Sequence, residues 1–414
     1  MNKPRVAILH YTAPPVVGGV EAVIRAHVRV LHRAGYPGTV LAGRGNPAAL
    51  APDAELILVP EMDSQQPEIV DASTALAAGR TPPVFANLKE RARAALEPHL
   101  GRFDAVIVHN IFGKHFNLPL TAALCELLDA GKLRRCIAWG HDFSWTSPSS
   151  RRAVHAGYPW DLLRTQRGDI TYVAVSQRRQ RELADLFGCP ADEIRVIYNG
   201  VDPQELLGLS SQGMRLAERL GLFVSGLVLL MPVRVTQAKN IEYALRVVAA
   251  LKRLSCAPKL ILTGPPDPHD AASMAYFESL RALRRQLDVE DEMRFVFESG
   301  PQPGTPLEIE SRVVGDLYRL SDVLFMPSHR EGFGMPVLEA GLAGLPVACT
   351  AIPAAEEIAG EDVILFDAAE TPEEVAARIL DRVEGSPVYR LRRRVRGRYT
   401  WDAIFERDIA PLLL

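Results

Sequence analysis

Two carboxylates, Glu331 and Glu339, stand eight positions apart in PSHREGFGMPVLEAGLAGLPVACT, a stretch that begins at Pro327. Between them lie Gly332, Phe333, Gly334 and Pro336. The preceding DVLFMPS reads as a buried strand, so residues 328–334 form the loop at its carboxyl end. Proline suits a first helical turn, and the helix should run to about Ala343, where Gly344 can cap it. Glu331 then sits on the loop and Glu339 about one turn into the helix. Glycines at 332 and 334 let backbone N–H groups approach a ligand closely, and a helix N-terminus favours an anion. Such a segment can bind a polar group at the loop and a pair of hydroxyls along the helix. Either glutamate alone reads as an ordinary charge; position and spacing together point to a site.

A second group lies in MPVRVTQAKN, where Arg234 and Lys239 follow another apolar strand. A lysine opening the next helix opposes the helix dipole, a small penalty that an anion beside it would remove. Two cations there suit a diphosphate, which a guanidinium and an ammonium can neutralise without metal. GGVE at 18–21 places Gly18 and Gly19 at the start of a helix. It departs from the G-x-G-x-x-G dinucleotide fingerprint and reads either as a phosphate or substrate approach or as a plain tight turn. AWGHDFSW places His141 and Asp142 directly after a strand; a lone histidine is more often structural, but the carboxyl end of a strand in an open α/β sheet favours a functional role. His109, in VIVHN, occupies a comparable place and reads as structural.

The elements that must position these residues are strands alternating with helices. RVAILH, TVLAG, ELILVP, DAVIVHN, CIAWGHD, TYVAVS and IRVIYNG carry the strand signal in the first half. Between the first two, apolar Val20, Val23, Ile24, Val28 and Leu31 recur at helical spacing, with Gly35 as a C-terminal cap. After 199–202 the alternation restarts with LVLLMPV, KLILTG, MRFVF, DVLFMPS, PVACT and VILFD. The fold class is therefore α/β, with two Rossmann-like domains whose sheets present their carboxyl ends to an interdomain cleft. The expected domains are 1–205, 206–395 and a final helix over 396–414.

Composition bounds the rest. A chain of 414 residues exceeds one ordinary core, and a hydrophobic content of 48% supports sizeable ones. A net charge of −3 gives no reason to expect nucleic acid. Five scattered cysteines without a Cys-x-x-Cys pair argue against a disulfide framework or structural zinc. The first apolar run is too short for a secretory signal, and GLVLLMPV is far below the ~20 residues of a membrane helix. A cytoplasmic protein is expected, with peripheral membrane contact left open through the aromatics around Trp145 and Trp160 or the arginine-rich RLRRRVRGR. The alternative for that arginine run is a solvated helix face.

The chain resembles the retaining glycosyltransferases of family four. The resemblance runs through most of the chain and rests on EGFGMPVLE (Glu-x7-Glu) and RVTQAK (Arg-x4-Lys), supported by YNGVD, GGVE, the HD after a strand, and YTWDAIFERDI. One departure is TAIPAAEEI, where many relatives carry Gly-Gly before the glutamate; Ile-Pro reads here as a subfamily mark. The resemblance implies a GT-B fold with the last helix crossing back to the amino-terminal domain. It also implies that Arg234 and Lys239 hold the donor diphosphate, and that Glu331 with the amides of Phe333 and Gly334 holds the donor sugar. Glu339 would bind the ribose hydroxyls, His141 a far hydroxyl of the sugar, and Gly18 and Gly19 would approach phosphate or acceptor.

The function so implied is metal-independent hexosyl transfer with retention. The donor is a nucleotide-diphosphate sugar of the UDP-glucose or GDP-mannose type. The acceptor is an unidentified hydroxyl on a small sugar, sugar acid, polysaccharide or lipid. Neither a cofactor nor a metal is expected. Lys114, His115, Arg151 and Arg152 could meet an anionic acceptor, or be ordinary surface residues. The alternatives are a sugar-nucleotide hydrolase or epimerase, for which a diphosphate clamp is superfluous, and a non-catalytic nucleotide-sugar binding protein.

Overall fold

The computed structural model describes residues 3–50, 54–267, 271–302 and 305–414. The chain divides into two compact units, Met1–Val201 with Trp401–Leu414, and Asp202–Thr400. The first contains seven parallel strands: β1 (Val6–Thr12), β2 (Gly38–Arg44), β3 (Glu55–Leu58), β4 (Ala105–His109), β5 (Cys136–Gly140), β6 (Ile170–Ala174) and β7 (Arg195–Val196), in the order 3-2-1-4-5-6-7. The second contains β8 (Leu227–Met231), β9 (Pro258–Leu262), β10 (Met293–Phe295), β11 (Val323–Met326), β12 (Val347–Thr350) and β13 (Ile364–Phe366), in the order 10-9-8-11-12-13. Both units are Rossmann-like α/β folds, as the alternation of strands and helices predicts.

The strands were legible because helices cover both sheet faces, so strand residues are apolar throughout rather than alternately. In the first sheet, Val6 and Ile8 point into one core with Ala105 and Ile107, while Ala7 and Leu9 point into another with Val106 and Val108. The helix Gly19–Arg33 buries Val23, Ile24, Val28 and Leu31 on the first of these faces, and Gly35 follows it at φ +73°. Val6 pairs with Gly38 on one side and with Ala105 on the other. Strand order therefore reverses between β1 and β4, and in the second sheet between β8 and β11. A switch point of this kind opens a crevice at the carboxyl ends of the two strands.

The division falls a few residues from the expected one, for identifiable reasons. Asp202 caps the helix Pro203–Leu207 by accepting from the Glu205 N–H, so the Gly/Pro/Ser-rich connection already belongs to the second unit. At the other end, Arg396 stays in the second unit because its guanidinium is buried on Asp322 at 2.8 Å. The chain returns at Trp401, whose N–H donates to the Val201 carbonyl at 3.1 Å. Trp401, Ile404 and Phe405 then fill the core face shared with Val6 and Ile8. This contact explains the glycine of YNGVD. A Cβ on Gly200 would lie 2.9 Å from the Trp401 ring and 3.0 Å from Ile404 Cδ1.

Gly200→Ala is accordingly expected to destabilise the first unit by about 1–3 kcal/mol through overpacking. Gly101→Ala, where a Cβ meets nothing within 4 Å, should change stability little. Urea denaturation followed by tryptophan fluorescence distinguishes the two.

Candidate functional site

In the second unit, the loops following β8 and β11 carry the two motifs, and these strands flank the switch point. The His329 N–H donates to the Ala238 carbonyl at 2.9 Å and ties the loops together. Lys239 lies in the short turn Gln237–Lys239, before the helix Ile241–Arg253. Its ammonium donates to both oxygens of Glu331, at 2.8 and 2.7 Å. The Ser328 hydroxyl, not singled out from sequence, donates to Glu331 at 2.6 Å. The anion expected beside Lys239 is thus, in the unliganded chain, Glu331 itself. The side chains are 21% and 14% exposed, so the pair is poorly screened.

Arg234 is exposed and contacts no acceptor among the described residues. Its loop lies directly on Gly264, where a Cβ would come 2.4 Å from the Val233 carbonyl oxygen and 2.8 Å from Arg234 Cα. Glu331 is followed by the turn Gly332–Gly334 and the helix Met335–Ala343, capped at Gly344 with φ +70°. Gly334 has φ +93°, which requires glycine, whereas a Cβ on Gly332 would meet nothing. The amides of Phe333, Gly334 and Met335 donate to no acceptor among the described residues. They form an open donor cluster at a helix N-terminus. Glu339 lies on the exposed side of this helix, and one of its oxygens accepts from the Tyr318 hydroxyl at 2.6 Å. Burial, then the neighbouring Glu339 charge, pushes the Tyr318 phenol above its usual value, so it stays a donor. The other Glu339 oxygen accepts from no described residue.

In the first unit a cavity of about 780 Å³ opens at the β1/β4 switch point, lined by His10, Thr12, Glu21, Arg44, Asn110 and His115 among others. Glu21 turns back to accept from the Thr12 hydroxyl at 2.5 Å and lies 3.9 Å from His10 Nε2. Gly18 is explained by this carboxylate, because a Cβ there would fall 2.1 Å from Glu21 Oε2. Beside Gly19 the space is open, which leaves room for a ligand.

His141 is held by two residues at the end of β4. Its N–H donates to the Asn110 side chain at 2.9 Å, and its Nε2 is 3.0 Å from His109 Nδ1. Asn110 adopts φ +60°, a left-handed conformation asparagine tolerates. Burial, then the His10 charge, lowers the His141 pKa to about 4.

Several side chains that could meet an acceptor or a membrane have partners within the first unit. Asp142 pairs with Lys114 at 2.8 Å and Arg179 at 3.3 Å, which leaves Lys114 buried. His115 Nδ1 bonds the Ser144 hydroxyl at 2.8 Å, although the ring still lines the cavity. The Arg151 guanidinium lies 4.8 Å over the Trp145 ring, and Arg152 is exposed. Trp145 and Trp160 are only 9% and 4% exposed, with the Trp145 indole donating to the Trp160 carbonyl. These tryptophans are core residues, whereas Tyr158 nearby is exposed. Among the described residues, no helix is long and apolar enough to cross one.

Two outcomes follow from this geometry. Lys239→Met strands a half-buried carboxylate and should cost about 1–3 kcal/mol in urea denaturation. Adding Glu331→Gln to that variant should restore part of the loss. Separately, His141 titrates near 4 and fully buried His27 near 3, against about 6.5 when unfolded. The unfolded chain therefore takes up protons first as pH falls. Their stabilisation is complete above about pH 6.5 and is lost towards pH 4, by up to about 1.4 kcal/mol per pH unit per histidine. Thermal melts between pH 7.5 and 5 should show the decline, and His27→Phe should flatten it.

Residues 216–398 match the family model described as glycosyl transferases group 1, and residues 17–205 match the model of glycosyltransferase family 4. An uncharacterized glycosyltransferase of Methanocaldococcus jannaschii is 29% identical over 254 residues, 57% of this chain and 58% of that protein. A D-inositol 3-phosphate glycosyltransferase of Acidothermus cellulolyticus is 32% identical over 193 residues, 44% of this chain and 39% of that protein. The matches thus span between about two fifths and three fifths of these relatives' own length. Among solved structures, Anabaena HepE in complex with UDP aligns over 99% of both chains at 18% identity, with a TM-score of 0.36. The family models account for both halves of the sequence, and the chain belongs to the group 1, family 4 glycosyltransferases.

Proposed function

We propose that this protein transfers a hexose from a nucleotide-diphosphate sugar, of the UDP-glucose or GDP-mannose type, to an acceptor hydroxyl with retention of configuration. The observation that carries the proposal is the cluster at the β8/β11 switch point. Among the described residues Arg234 is a cation without an acceptor, Lys239 is a second cation on Glu331, and three open amides lie at the adjoining helix start. A sugar diphosphate presents the complementary groups. Its phosphate oxygens draw Lys239 away and engage Arg234, and the released Glu331 oxygens accept from sugar hydroxyls. The amides of Phe333 and Gly334 donate to the sugar, and the free Glu339 oxygen accepts from the ribose. The ligand thereby substitutes for an internal ion pair and leaves no charge unpaired.

In the transfer step the bond between the anomeric carbon and the diphosphate oxygen breaks, and negative charge builds on the leaving phosphate. Arg234 and Lys239 stabilise that charge, so no metal is required in this reading. The acceptor oxygen bonds to the anomeric carbon from the same face, and its proton passes to the leaving phosphate oxygen. His141 contacts a sugar hydroxyl. The cavity of the first unit, with its hydroxyl, carboxamide, carboxylate and imidazole lining, fits a polyhydroxy acceptor. Relatives named D-inositol 3-phosphate glycosyltransferase support the same class. The free cysteines suit a reducing, cytoplasmic setting.

Thermal shift with UDP, GDP and their hexose conjugates, with and without magnesium, tests the donor. One nucleotide series should stabilise the chain irrespective of magnesium; no shift with any of them contradicts the proposal. With the donor so identified, Arg234→Ala, Lys239→Ala and Glu331→Ala should each lower transfer about 100-fold or more while the chain stays folded. Near-normal turnover in any of the three removes its assigned role.

A further inference from the structure

We infer that His109 is a positioning residue that fixes His141 in the tautomer carrying its proton on Nδ1, so that His141 meets its ligand as a hydrogen-bond donor. The geometry of the pair is that of a ring-to-ring hydrogen bond. The nitrogens are 3.0 Å apart, the ring centroids 5.3 Å apart, and the planes are inclined by 25°. The centroid separation exceeds the nitrogen separation by about the width of one imidazole. The rings therefore meet edge to edge, with the donor aimed along the acceptor's lone pair, rather than face to face. One nitrogen must donate and the other accept.

The surroundings of His109 decide which. Its ring is fully buried, and its Nε2 has no hydrogen-bond partner among the described residues. Around it lie the rings of His27 at 5.2 Å and Trp139 at 5.8 Å. A proton on Nε2 would bury an N–H with nothing to receive it, whereas a bare lone pair there is better tolerated. His109 accordingly carries its proton on Nδ1 and donates to His141 Nε2. With Nε2 occupied as an acceptor, a neutral His141 holds its proton on Nδ1. That nitrogen bonds to none of the described residues and is not among the buried unsatisfied atoms. Burial favours the neutral form of both rings, the form to which the tautomer assignment applies. The His141 backbone is fixed independently by Asn110, so the contact from His109 sets the ring's protonation as well as its placement.

The inference rests on the reading of His141 as a ligand-contacting group, and the experiment separates the two. The full chain, labelled with 15N at histidine, gives the ring-nitrogen shifts, with the His141 signals identified by their loss in His141→Asn. In the unaltered chain His141 should show a protonated Nδ1 and an unprotonated Nε2. His109→Phe should average the two signals towards a tautomer mixture and weaken binding of UDP-glucose or GDP-mannose, whichever binds, by about tenfold, the worth of one hydrogen bond. His109→Asn, whose side-chain amide stands in for Nδ1–H, should preserve both. A protonated Nε2 in the unaltered chain overturns the inference, whether or not His109→Phe folds. Lost tautomer preference with unchanged binding overturns the positioning role. If neither sugar nucleotide binds the unaltered chain, the proposed function fails, while the tautomer still decides the role of His109.

Discussion

The arrangement of the second unit depends on one ion pair, Lys239 with Glu331, between two loops 92 positions apart in sequence. The β8 loop and the β11 loop each carry a charge that would be costly alone. Lys239 lies at the start of a helix whose dipole repels it, and Glu331 is mostly enclosed. Their contact offsets both costs, helped by the Ser328 hydroxyl and the backbone bond from His329 to Ala238. It also holds the site in a form that a ligand with matching charges can enter by exchange. In the proposed function, a sugar diphosphate would offer phosphate to the lysine and hydroxyls to the glutamate, so that each partner trades one bond for another.

The same topological fact places the candidate site residues in both units. Strand order reverses between β1 and β4 and again between β8 and β11, and in each sheet the loops leaving those strands diverge. The first crevice becomes a cavity with Glu21 and His10 in its wall; the second collects Arg234, Lys239 and Glu331. Glycines serve this arrangement in different ways. Gly334 satisfies a left-handed turn, Gly18 makes room for the Glu21 carboxylate, and Gly264 lets the Arg234 loop lie flat.

Strands such as RVAILH and DVLFMPS were readable because burial on both faces demands unbroken apolar runs. The helix Met335–Ala343 was readable because Pro336 and the flanking glycines mark its ends. The candidate site was legible as two motifs at strand ends, but their contact was not, since local spacing carries no information about a partner 92 positions away. Tyr318 and Ser328 escaped notice for the same reason: each is an ordinary residue until folding sets it beside a glutamate. The burial of Trp145 and Trp160 is not legible in sequence, because an aromatic cluster reads alike whether it faces solvent, lipid or a core. His109 reads as structural in sequence, and only folding brings its ring edge to edge with His141.

The exchange of the Lys239–Glu331 pair for ligand contacts is the central claim, and a crystal structure of the full chain with UDP-glucose tests it most directly. The account predicts that Lys239 Nζ leaves Glu331 for a phosphate oxygen shared with Arg234, and that Glu331 accepts from the glucose hydroxyls. A bound UDP-glucose with the ion pair intact, or with its diphosphate away from Arg234 and Lys239, would contradict it.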